Sequence, residues 1–183
     1  MEEEQIISNK EGLIFSKIKK NNYKLSFPLE NKNIDLSKII DFSLIQLVYN
    51  LNSDVYETVR LEKLNDNEAI ATLVMKHFFE DLGLPQRFSY VHIQKFIEKD
   101  RISFRSQSIQ SHRPEGIPED AELMSIKELI SICDIVNPHQ INNSFVIMFD
   151  DVMYIPPFVE KLVALILNKM FKRVKQFIEN IRL

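Results

Sequence analysis

The chain has no tryptophan, one cysteine and three glycines among its 183 residues. A lone Cys133 excludes an internal disulfide and any metal site built from cysteines. Three glycines are too few for most phosphate-cradling loops, and no GxxxxGK[ST], GxGxxG or GxSxG pattern occurs, so nucleotide-dependent and serine-hydrolase chemistry find no support. The longest apolar run, Leu162 to Leu167, falls far short of the roughly 20 residues that a membrane-spanning helix needs. The opening Met-Glu-Glu-Glu is opposite in charge to a basic secretory leader. These absences predict a soluble, intracellular protein of a reducing compartment, with no transmembrane segment and no cofactor.

What is present is an ordinary globular composition: 45% apolar, 27% charged and 10% aromatic, the aromatics being mostly phenylalanine. The length fits one domain spanning residues 1–183. A net charge of −3 and a pI near 5.9 exclude a surface that grips nucleic acid all over, so any such contact must be a local patch.

Periodicity gives an α+β reading. Between residues 13 and 64, "GLIFSKI", "YKLSFPL", "FSLIQLVYNL" and "VYETVRLEKL" read as strands, Phe42 to Val48 being an interior one. "NDNE" at Asn65–Glu68 resembles a helix cap, and Ile70, Leu73, Val74, His77 and Phe78 follow as one helix face. That helix is expected to end near Leu82, with Gly83 in the left-handed position past it. Strands are expected over Phe88–Ile97 and Arg101–Ile109, then a mobile loop at 110–120 with two prolines and a glycine. "SIKE" at Ser125–Glu128 reads as a capping box opening a short helix through Cys133, whose place on the inner stripe marks a buried thiol rather than a nucleophile. "SFVIMFDD" reads as a buried strand. Pro156 and Pro157 then open a long helix with Val159, Val163, Ile166, Met170, Val174, Phe177 and Ile181 along one face and a lysine- and arginine-rich remainder. The expected architecture is a mainly antiparallel sheet with about three principal helices, including this long C-terminal amphipathic helix.

Two functional classes fit these residues. The first is a non-enzymatic binding or assembly protein. Arg87, Lys95, Lys99, Arg101, Arg105 and Arg113 outnumber the acidic residues around them, and alternation puts Phe88, Tyr90, His92 and Gln94 on one strand face. Aromatic rings beside cations hold single-stranded nucleic acid without base readout. The same alternation also fits a face buried against a helix. In the C-terminal helix, Lys172 and Arg173 lie on a basic face that suits a polyanion, while the apolar stripe suits another protein or a second copy. It suits equally a helix that closes the core. The second class is a small metal-dependent enzyme in which Asp150 and Asp151, at a strand end, meet His92 or His112.

The stretch "FFEDLGLPQRFSYVHI" and the strand it opens resemble an uncharacterised protein family of large nucleocytoplasmic DNA viruses. The Ile-, Asn- and Lys-rich composition suits the AT-rich genome of such a source. The resemblance implies a viral accessory or virion protein and brings no catalytic residue with it.

Overall fold

The computed structural model describes residues 4–182. Three strands open the chain: β1 (Gln5–Lys10), β2 (Leu13–Lys19) and β3 (Asn22–Glu30). A 3₁₀ turn (Leu36–Ile39) leads to helix α1 (Phe42–Leu51). Strands β4 (Tyr56–Asn65), β5 (Glu68–Met75), β6 (Arg87–Glu98) and β7 (Arg101–Ser108) follow. After the short β8 (Glu122–Leu123) come β9 (Ile126–Asn137), β10 (Gln140–Phe149) and helix α2 (Pro157–Glu179). The strands form one sheet in the order β1-β2-β3-β10-β9-β7-β6-β5-β4, with β8 alongside β6. Every pairing along that path is antiparallel, and β3 meets β10 in the middle of the sheet.

Both helices lie on the same face, called here the inner one. Alternation along the strands places Phe15, Leu25, Phe27, Phe104, Val91 and Ala71 on it, all buried. The Phe42 ring of α1 meets Phe104 edge-on at 5.7 Å. The Phe171 ring of α2 packs between Phe27 and Phe145, at 5.3 and 5.1 Å.

The α+β class and the long C-terminal helix stand as expected, but the described residues hold two α-helices rather than three, and three segments change type. Residues 42–51 are helical, not an interior strand. Asp41 caps them by accepting hydrogen bonds from the Ser43 and Leu44 amides at 2.8 and 3.2 Å. One side of α1 meets the sheet and the other meets α2, so apolar residues ring most of it and the helical period is blurred. Residues 65–75 are a hairpin turn and strand. The Asn65 side chain accepts from the Asn67 amide at 2.8 Å, so the cap-like "NDNE" serves as a turn. Residues 126–137 are also strand. Leu129 and Cys133, four apart, fit one helix face and one strand face equally, and the β-branched run of isoleucines favours the strand. Ser125 hydrogen-bonds to Asp150 instead of capping a helix. Gly83 does take a left-handed conformation, φ +69°, but after a single 3₁₀ turn, Glu80–Leu82.

Along α2 the two halves differ. The C-terminal half is tied down: Ile178 is fully buried, and the Asn31 amide donates to the carbonyls of Ile178 and Ile181 at 2.6 and 3.0 Å. Arg173 and Lys169 both reach Asp54, and Lys172 reaches Glu11. The N-terminal half is tied near its start by Glu160, which accepts from Lys17 at 2.6 Å and from the Tyr23 hydroxyl at 2.7 Å. At the helix midpoint it is tied by Asn168, whose amide donates to the Ser8 hydroxyl of β1 at 2.7 Å. The buried stripe is rotated from the expected one. Ala164, Phe171, Val174 and Ile178 face the sheet, Val163 and Ile166 are half-buried, and Phe177 is exposed.

Candidate functional site

The basic and aromatic residues singled out in the sequence do not form an open platform. Phe88 and Tyr90 do share a strand face, but it is the outer one, and they are only 3% and 8% exposed. Residues 109–123 fold across them, and Ile117 and Ala121 complete a second, smaller core there. Arg113 from this segment lies 4.9 Å above the Phe88 ring. His112 stands edge-on to Tyr90, whose hydroxyl is 3.1 Å from its Nε2. The cations are engaged one by one: Arg87 with Glu122 at 2.9 Å, Arg101 with Asp134 at 2.6 Å, and Arg105 over the Phe96 ring. His92 stands 3.9 Å from Glu68. Lys172 and Arg173 serve as the ties already described.

The rival metal site is not assembled either. Asp150 accepts from Ser125 and Gln110, and Asp151 pairs with Lys127 at 2.9 Å, which holds its carboxyl below the usual range. His112 is occupied with Tyr90 and Ser111. Among the described residues, no three His, Cys, Asp or Glu side chains gather to hold a metal ion.

What the fold does bring together is an apolar layer between the inner face and the two helices. From α1 come Leu44, Val48 and Leu51, and from the first half of α2 come Val163, Ile166 and Leu167. The sheet contributes Leu129, Phe145 and Ile147, and the segment between β10 and α2 contributes Met153 and Ile155. All of these pack on the buried core yet keep accessible surface. At the margin, burial and the Glu160 carboxylate drive the Tyr23 hydroxyl pKa well above its usual value. Deeper in, the Cys133 thiol donates to Asn143 at 3.1 Å, and burial pushes it up to about 12. The layer therefore offers aliphatic and aromatic contact over a broad area, which suits an apolar molecule. Outside it, Val152, Tyr154, Phe158 and Leu165 expose large apolar side chains around the start of α2. No helix among the described residues is long and apolar enough to cross a membrane.

The layer is hidden in the sequence because apolar residues ring most of α1, so that Leu44 and Val48 read as strand. One signal was available: from Phe158 to Leu167 every position except Glu160 and Lys161 is apolar. A helix apolar all round must be covered on more than one side.

No protein-family model and no curated protein sequence matches the chain. Solved structures do. The human StarD13 lipid transfer and protein localization domain superposes with a TM-score of 0.69 over 99% of this chain and 91% of its own, at 13% identity. Human StAR-related lipid transfer protein 5 gives 0.68 over 96% and 86%, at 11% identity. A STAR-related lipid transfer protein from Xanthomonas axonopodis gives 0.66 over 97% and 99%, at 12% identity. The chain thus shares the fold of StAR-related lipid transfer domains. With the burial of Phe88 and Tyr90, this overturns the expectation of a nucleic-acid-binding or assembly protein acting through the Arg87–Arg105 patch. The human and bacterial neighbours also lend no support to the expected viral kinship.

Proposed function

We propose that the chain binds a lipid or similar apolar molecule between its inner sheet face and the helices α1 and α2, as a carrier rather than a catalyst. The observation that carries this reading is the half-buried layer formed by Leu44, Val48, Val163, Ile166, Leu129 and Ile147. All six pack on the same buried core, Val163 and Ile166 coming from the stretch of α2 between the Glu160 and Asn168 ties. The fold shared with lipid transfer domains supports it. In this reading the first half of α2 swings outward to admit the ligand, because from Asn168 onward the helix is tied to Ser8 of β1, to Glu11 and Asp54 in loops and to the Pro28 carbonyl of β3. The exposed Val152, Tyr154 and Phe158 stand on the entry side.

The test is saturable binding. The fluorescent apolar probe 1-anilinonaphthalene-8-sulfonate should bind the delipidated protein at one site and be displaced one-for-one by 1-dodecanol. Val163→Glu, which sets a charge in the layer, should abolish that site while the protein still unfolds cooperatively. Non-saturable probe binding, or full binding by the glutamate variant, would sink the proposal.

A further inference from the structure

Four tyrosines have rings at least partly buried, and two of them have a protein partner for the hydroxyl. Tyr23 donates to Glu160, and Tyr90 lies within hydrogen-bond distance of His112. Tyr49 and Tyr56 differ. Tyr49 follows Phe42 by seven residues, two helical turns, so both face the sheet from α1. Tyr56 opens β4 opposite Met75, in register with Val59 and Leu61 on the inner face. The two rings meet edge to face, 5.4 Å apart with their planes at 78°. Neither hydroxyl hydrogen-bonds to any described residue, and neither is sealed: each touches space that a water molecule can enter. A buried phenol ordinarily finds a partner, because an unmade hydrogen bond is costly.

Both rings are half-buried. Burial pushes the Tyr49 hydroxyl up to about 12 and the Tyr56 hydroxyl higher, the latter aided only by Tyr49 itself. Both are therefore protonated donors at neutral pH, and the cations brought to the adjoining loop, Arg173 and Lys169, are already paired with Asp54. A carboxylate or phosphate brought here would lose its hydration with no charge to replace it. An uncharged oxygen would meet two donors.

We infer that Tyr49 and Tyr56 form the polar end of the lipid site and donate hydrogen bonds to an uncharged hydroxyl or carbonyl oxygen on an otherwise apolar ligand. This rests on the lipid-binding reading above and narrows its substrate to neutral-headed lipids.

The experiment compares three probes of equal chain length at neutral pH: 1-dodecanol, dodecane and laurate, each displacing 1-anilinonaphthalene-8-sulfonate. The wild-type chain should bind the alcohol about tenfold more tightly than the hydrocarbon, and more tightly than laurate. Tyr49→Phe/Tyr56→Phe should bind dodecane as the wild type does and lose the preference for the alcohol. Only hydroxyls are removed, so the variant should melt within a few degrees of the wild type; if it does not, the single Phe variants decide, each losing part of the preference. An alcohol preference that survives in the Phe variants overturns the inference, as does tighter binding of laurate by the wild type. In both cases lipid binding itself stands. If no probe displaces the dye from the wild type, the lipid-binding reading falls and the inference falls with it.

Discussion

Arg173 grips Asp54 with two nitrogens, at 2.5 and 2.9 Å, and so pins the C-terminal half of α2 to the loop between α1 and β4. Lys169 adds a third contact at 2.8 Å. These hydrogen bonds, Arg173's first and Lys169's second, hold the Asp54 carboxyl far below the usual carboxylate range.

The sign of the pH dependence follows. A carboxyl whose folded pKa is depressed contributes stability that is full above its unfolded pKa of about 4 and is lost as the pH falls toward the folded value. Both partners are partly exposed, so the pair contributes only about 1 kcal/mol. Asp54→Asn should therefore lower Tm by roughly 2–4 °C at neutral pH. The gap from wild type should close between about pH 4 and pH 2. A gap that stays constant on acidification would show that the ion pair is not its source.

Glu160 is the corresponding tie at the other end of α2. Replacing it with alanine frees Lys17 and the Tyr23 hydroxyl together. Hydrogen exchange should then speed up about tenfold for amides in residues 161–168, while those in 171–178 keep their protection. Equal acceleration along the whole helix would argue against two independently held halves.

The outer-face core makes a different prediction. Phe88→Ala removes a ring that is almost wholly buried, at a cost of about 3–5 kcal/mol. Arg113→Ala removes the cation above that ring together with its hydrogen bonds to the Pro118 and Ala121 carbonyls, costing about 1–2 kcal/mol. Limited proteolysis should begin within residues 109–121 in both variants, sooner for Phe88→Ala. Because this core lies across the sheet from the proposed lipid site, Arg113→Ala should leave 1-dodecanol affinity unchanged.

Cys133 should be inert in the folded protein. Burial raises its thiol to about 12, so almost no nucleophilic thiolate exists at pH 8. Iodoacetamide should modify it only as fast as the chain unfolds, measured by mass spectrometry with and without denaturant. Rapid labelling of the native protein would contradict its placement against Asn143.

Much of the sheet was legible in the sequence. Alternation and turn residues located β2, β3, β4, β6, β7 and β10, and Pro156–Pro157 marked the start of α2. The errors have physical causes. The helix reading at Leu129–Cys133 rests on a spacing of four, which is a multiple of two as well as about one helical turn. The one from Ile70 to Phe78 arises because β5 is buried on both faces, so apolar residues fall at odd and even positions alike. Helix α1 failed in reverse, because a helix covered on two sides loses the polar stripe that betrays it. The Phe88–Tyr90 face was found, but its cover comes from Ile117 and Ala121, and no local pattern reveals what a loop some thirty residues later will do. The lipid layer was illegible for the same reason: it exists only where α1, α2 and the sheet meet.

The junction of β3 with β10 bears on how the molecule is made. Asn22 lies opposite Met148, and Glu30 opposite Gln140, so the first three strands meet their neighbour across the sheet more than a hundred residues later. Emerging from a ribosome, the β1–β3 meander would wait with one apolar face uncovered until nearly the whole chain had been translated. Closing so long a loop slows folding, and the waiting strands present an open edge to other nascent chains. Early chaperone engagement would therefore matter more to this protein than its modest size implies.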